Sequence, residues 1–130
     1  MSTRLLLVHE SPKVISLILN RNSTRLGRVR FTPPTVTTNT DDTIAYLHHI
    51  KVNHFYRNKE IGSFMLNHMN TYLKKNTLAE TIKSVLWDDM SNPYLSSFFI
   101  KNGYTLNTDE QTIYDDDEKI FEITPIERNL

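Results

Sequence analysis

The feature that most constrains this chain is a double change of hydrophobic period between residues 43 and 87. From Thr43 to Val52 the residues alternate, with Ile44, Tyr46, His48, Ile50 and Val52 on one side, which is a strand pattern. From Ile61 the apolar residues Ile61, Met65, Met69, Tyr72 and Leu73 recur at three- and four-residue spacing, which predicts a helix with one apolar face. Lys74 and Lys75 suit the negative end of that helix, and Asn76 stops it. Thr81 to Trp87 returns to a strand pattern. Strand, helix and strand in this order predict a parallel pair joined by a crossover helix.

The flanks read as antiparallel. Leu5 to Val8 is a short apolar run, and Val14 to Leu19 is a second, entered through Ser11-Pro12. Asn20 to Thr24 carries turn chemistry. Leu26 to Phe31 then alternates, with Leu26, Arg28 and Arg30 on one side and Gly27, Val29 and Phe31 on the other. This predicts a hairpin. Residues 32–43 are rich in Thr, Pro and Asn and read as a loop. After Trp87 comes the loop Asp88-Asp89-Met90-Ser91, and Asn92-Pro93 reads as a helix cap followed by proline at the first helical position. Tyr94, Leu95, Phe98 and Phe99 give that helix its apolar face, and Gly103 suits a left-handed stop. Residues 104–106 and 112–114 are short strand candidates, Asp115 to Glu118 an acidic turn, and Lys119 to Ile126 a last strand. The expected fold is α/β, a mixed sheet with helices on its faces. A length of 130 residues fits one domain over residues 1–130.

Composition narrows the chemistry. The chain has no cysteine, which removes disulfides, Cys-zinc sites and thiol nucleophiles. His54 and His68 make no metal-ligand spacing, so no metal is expected. The apolar run at Leu5–Val8 is shorter than the roughly 7–15 residues of a secretory signal, and no run is long enough to cross a bilayer. The expectation is a soluble, intracellular and cytoplasmic protein that meets no membrane. Lys plus Arg number 15 and Asp plus Glu 15, a neutral balance that argues against nucleic-acid binding. The balance hides a split. Residues 1–65 hold 9 basic and 4 acidic side chains, and residues 66–130 hold 6 and 11.

Chemistry concentrates between Leu47 and Ser63. A strand ends at Val52, a short loop follows, and a helix opens near Ile61. The first backbone N–H groups of a helix have no helical partner and form an anion site suited to phosphate. Arg57 and Lys59 add charge, and the small Gly62 and Ser63 allow close approach. Any strand–loop–helix crossover with a soluble basic loop would read the same way.

The stretch Leu47-x-x-Ile50-x-Val52-x-His54-x-Tyr56-Arg57-Asn58-Lys59-Glu60-Ile61-Gly62-Ser63 resembles the acyl-CoA-binding motif of the GNAT superfamily of N-acetyltransferases. Asn92-x-x-Leu95-x-x-Phe98-Phe99-x-Lys101-x-Gly103-Tyr104 is similar to a second family segment, in the expected order. The resemblance covers roughly residues 44–104. It implies a single GNAT-like domain: a mostly antiparallel mixed sheet with a splayed parallel strand pair, and here a reduced N-terminal region. It implies acetyl-CoA as co-substrate, with pantetheine against Ile50, Lys51 and Val52. The pyrophosphate would lie in the loop of Arg57, Asn58, Lys59, Glu60, Ile61 and Gly62, next to Ser63. Asn92 and Phe99 match positions that border the cofactor. The implied activity is transfer of an acetyl group to an amine by direct attack. The acceptor is a protein lysine, an N-terminus or a small amine, with a basic peptide or protein as partner.

Two departures stand out. Glu60 replaces a loop glycine, and Phe99 stands where the family commonly has a tyrosine acid. They define the alternative, a catalytically weak or inactive GNAT-fold module acting through protein–protein contacts. Histidines on the matching strand assist amine deprotonation in one branch of the family. His48 is therefore the first candidate base, beside His49, and either is also an ordinary hydrogen-bonded strand histidine. Asp88, with Asp89, is a second candidate for binding or deprotonating the amine, against a turn role. The run Asp115 to Glu118 is a solvated hairpin tip or an attractor for a basic substrate. Arg21, Arg25, Arg28 and Arg30 read as a solvent-facing side of the first hairpin. Trp87 is expected in the core or lining the site. Phe64, Met65 and Leu66 are expected in the core. A homodimer through the sheet edge is compatible with the topology.

Overall fold

The computed structural model describes residues 3–35, 42–56, 60–89, 94–117 and 119–130. Strands β1 (Thr3–His9), β2 (Ile15–Arg21), β3 (Thr24–Thr32) and β4 (Ile44–Val52) come first. Helix α1 (Ile61–Asn76), strand β5 (Thr81–Asp89) and helix α2 (Tyr94–Lys101) follow. Strands β6 (Thr105–Leu106), β7 (Thr112–Asp116) and β8 (Lys119–Asn129) complete the chain. The sheet order is β1-β2-β3-β4-β5-β8-β6, with β7 also on β8. Every described pair is antiparallel except β4 with β5, the parallel pair that the change of period predicts. Asn22, with φ of 55°, makes the tight turn between β2 and β3. Gly103, with φ of 89°, ends α2 in the left-handed region, as its position suggests.

Both helices lie on one face of the sheet. Helix α1 packs on β2, β3 and β4, and α2 on β5 and β6. The Phe98 ring of α2 lies over Gly62 of α1. Met65, Leu66, Met69 and Leu73 of α1 are buried on Val29, Phe31, Ala45, Leu47 and Ile82. Each such side chain contributes about 1.5–3 kcal/mol by leaving water. Phe64, by contrast, points out and stacks on His68 with ring centroids 4.4 Å apart. Only residues 10–14 link β1 to β2, so the N-terminal region is short.

Two bulges overturn the strict alternation read from sequence. Asn20 pairs with Arg25 and Leu19 with Gly27, leaving Leu26 unpaired. An extra residue in one strand breaks the two-residue period, so Leu26 is buried with Val29 and Phe31 instead of sharing a side with Arg28 and Arg30. In β4, Phe31 pairs with Leu47 and Arg30 with His49, so His48 is the extra residue. The buried side of β4 is therefore Ala45 and Leu47 before the bulge, and Ile50 and Val52 after it.

Candidate functional site

The parallel pair is short. Ile44, Ala45 and Tyr46 pair with Thr81, Ile82 and Lys83, and there the ladder stops. Beyond this point β4 stays bound to β3, and β5 stays bound to β8 along its whole length. Each strand is held by its outer neighbour while the two diverge. The Ser84 hydroxyl donates to the Leu47 carbonyl at 2.7 Å, one residue past the last pair. The bulge at His48 follows at once, and bulges bend and twist the strand that carries them. From Leu47 to Val52 the inner edge of β4 has no strand partner.

A cleft of about 940 Å³ opens on the helix side of this fork. Ile50, Lys51 and Val52 line it from β4, and Glu60, Ile61, Gly62 and Ser63 from the start of α1. Tyr56 lines it from the short turn of 3-10 helix His54–Tyr56, and Tyr94, Leu95, Phe98 and Lys101 from α2. Glu60 sits at the cap of α1 in the left-handed region, with φ of 58°, and its side chain does not cap the helix. Its carboxylate instead meets the Lys101 ammonium at 3.2 Å, across the cleft mouth. The first helical bond runs from the Phe64 N–H to the Glu60 carbonyl. The amides of Ile61, Gly62 and Ser63 thus have no helical partner and add positive potential to this end of the cleft. A second, smaller cavity of about 370 Å³ adjoins it, bounded by Glu60, Lys101 and Arg128 among others.

The sequence-derived candidates are distributed as follows. Ile50, Lys51, Val52, Glu60, Ile61, Gly62 and Ser63 come together in the cleft. Arg57, Asn58, Lys59 and Asn92 lie outside the described residues. Phe99 is buried, its ring 5.2 Å from those of Phe98 and Tyr104, and lines neither cavity. His48 is exposed at the bulge, with Nε2 2.6 Å from the Thr32 hydroxyl. Asp88 belongs to the diverging part of β5, opposite Glu122. Trp87 is neither core nor cleft lining: it is 54% exposed on the face away from the helices. Sequence reasoning left Tyr56, Leu95, Phe98 and Lys101 out of the site. Tyr94, Leu95, Phe98 and Lys101 follow helical spacing, a stripe that reads equally well as core.

Histidine 49 faces away from the cleft, opposite Arg30 in register. Its Nε2 is buried and has no hydrogen-bond partner among the described residues. Burial, and then the charges of Arg28, Arg30 and Lys51, hold its pKa below the ordinary histidine value. Nearby, Arg30 pairs with the Glu10 carboxylate at 2.8 Å, and the Ser16 hydroxyl donates to the same carboxylate. These contacts keep the Glu10 pKa low, the Ser16 hydrogen bond most of all. Tyr104, buried with no partner for its hydroxyl among the described residues, has its pKa pushed up by burial. Among the described residues no group of His, Asp and Glu could hold a metal ion. No described helix is long and apolar enough to cross a membrane.

This forked sheet with a helix opening at the fork is the fold of GNAT-family acetyltransferases. A GNAT-family acetyltransferase from Streptococcus pneumoniae matches at a TM-score of 0.72 and 16% identity, over 93% of this chain and 70% of that one. An acetyltransferase from Bacillus subtilis, solved in complex with CoA, matches at 0.71 and 12% identity over 99% of each chain. The ribosomal-protein-S18-alanine N-acetyltransferase from Escherichia coli matches at 0.70 and 16% identity, over 92% of this chain and 71% of that one. No protein-family model and no curated protein matches the sequence.

Proposed function

We propose that residues 1–130 form one acetyltransferase domain that moves an acetyl group from acetyl-CoA to a primary amine. The observation that carries this reading is the fork itself. It leaves the inner edge of β4 at Ile50, Lys51 and Val52 unpaired, beside a cleft that ends on the open start of α1. The free backbone edge suits a ligand with amides of its own, and the α1 amides with Lys101 suit its phosphates. Arg57, Asn58, Lys59 and Asn92 are assigned to the same binding role, and Phe99 supports it from behind Phe98. The volume lies in the range of about 300–1,000 Å³ that houses small-molecule ligands. A CoA complex of the Bacillus subtilis protein, alike over the full length, supports the same ligand here.

Acetyl-CoA supplies an activated acyl carbon. The chain's task is to deliver a neutral amine to it and to protonate the departing sulfur. His48, at the bulge where the strands part, accepts the ammonium proton, and Asp88 on β5 is the second candidate. A new C–N bond forms as the C–S bond breaks, and the acylated nitrogen gives up its second proton through water, which restores the acid that protonates the sulfur. Tyr94, a phenol in the cleft lining, holds the proton for the sulfur, a role that Phe99 cannot take. The S18-alanine enzyme supports a polypeptide amine as acceptor class.

Because the chain has no cysteine, a thiol reagent reports released CoA without background. Thiol release that requires both acetyl-CoA and an amine is expected. Binding of acetyl-CoA without turnover on any lysine peptide, N-terminal peptide or small amine would leave only a binding module.

A further inference from the structure

The face of the sheet away from the helices carries an aromatic surface that the cleft does not use. Trp87 is 54% exposed and Tyr114 47% exposed. Trp87 lies edge-on to Tyr114 at 6.2 Å and to Phe121 at 6.3 Å, and Tyr114 lies 6.4 Å from Phe121. Register puts all three on one face: Tyr114 pairs with Phe121, and Trp87 with Ile123 two residues further along β8. Val85, 47% exposed, extends the surface back along β5 toward Ser84. Asp116, exposed and two residues from Tyr114, shares this side of β7.

We propose that Trp87, Tyr114 and Phe121 form a platform for lysine side chains of a polypeptide acceptor, with Asp116 beside it. The proposal rests on the acetyltransferase reading and names its substrate class. Position is the first argument. Trp87 stands three residues past Ser84 on the diverging part of β5. The platform and the cleft are on opposite faces of the sheet, and the gap between β4 and β5 joins them. A polypeptide laid on the rings therefore lies along the strand that borders that gap.

Charge is the second argument. An ammonium is attracted to aromatic faces, tryptophan most strongly. Residues 105–119 contain six carboxylates and one cation, Lys119, the register partner of Asp116. Shape selects the source. The platform is an open stretch of sheet, and the carboxylates are spread along the hairpin. Spread charges reward several cations on one extended chain more than a single small amine.

Trp87 is the sole tryptophan, so its fluorescence reads the platform directly, with or without acetyl-CoA. Titration with a tetralysine peptide is expected to change the emission saturably. The fully Nζ-acetylated peptide should bind about tenfold more weakly, having lost its charge. Asp116→Asn and Tyr114→Ala should weaken the lysine peptide several-fold, and Trp87→Ala should abolish its calorimetric signal while far-UV circular dichroism still reports a folded chain. Equal binding of the acetylated peptide, or no emission change at millimolar peptide, would overturn the proposal. An equal response to n-butylamine would overturn the polypeptide source. Acetyl-CoA binding with an indifferent Trp87 removes the platform alone; lysine-peptide binding without acetyl-CoA binding removes the acetyltransferase reading alone.

Discussion

The Ser84 hydroxyl reaches the Leu47 carbonyl at 2.7 Å, one residue beyond the last pair of the β4–β5 ladder. It satisfies a carbonyl that the parting of the strands would otherwise orphan. It also marks where the fork begins.

Replacing Ser84 with Ala should therefore act on both stability and function. Loss of a partly buried hydrogen bond costs about 0.5–1.5 kcal/mol, read as a lower midpoint in urea. The KM for acetyl-CoA should rise as the fork loosens, whereas Ser84→Thr, which keeps the hydroxyl, should restore most of it.

Gly62 has no room for a side chain. A Cβ there would stand 2.9 Å from two atoms of the Phe98 ring, which would have to swing into the cleft. Gly62→Ala should weaken acetyl-CoA binding about tenfold, the scale of a misfit methyl in an apolar site. Adding Phe98→Ala should recover part of the loss, which calorimetry on the single and double variants can measure.

Glu60 holds a left-handed conformation that glycine adopts without strain, and its carboxylate faces Lys101 at the cleft mouth. Both groups are well exposed, so the ion pair contributes little stability. Glu60→Gly should leave the melting temperature nearly unchanged or slightly raised. It should tighten acetyl-CoA binding several-fold, by freeing Lys101 and removing a negative charge. Weaker binding in this variant would show that Glu60 helps to hold the ligand.

Two groups on the outer face set separate acid limits. His49 binds its proton less readily folded than unfolded, so its share of stability is intact above the unfolded value of 6.5 and is lost as pH falls through the lower folded value. Glu10 follows the same sign from a reference value of 4.5. His49→Gln should flatten the fall in melting temperature that begins near pH 6.5. Glu10→Gln should flatten only the fall below pH 4.5. Melting curves from about pH 2 to pH 8 distinguish them.

Much of the fold was legible because a change of hydrophobic period is a strong signal. The unit β4–α1–β5 follows from it, and so does the cleft's floor, where a strand ends and a helix begins. The bulge at His48 was hidden. Ile44, Tyr46, His48, Ile50 and Val52 look like one unbroken stripe, and only the three-residue step from Leu47 to Ile50 betrays the shift. Trp87 misled for a different reason. Its size suggests burial, but Ile82 and Leu86 take the buried side of β5, and Trp87 falls on the other. In α2 a single stripe served both core and cleft, so Phe98 and Lys101 were not separable from Phe99 until the helix was placed against Gly62.

The most direct test of the central claim is a melting-temperature titration of the unmodified protein with acetyl-CoA. A ligand held by the folded cleft stabilises in proportion to the logarithm of its excess over Kd. A concentration-dependent rise of several degrees is expected, reduced in Gly62→Ala and retained in Trp87→Ala. No rise at millimolar acetyl-CoA would contradict the assignment of the cleft.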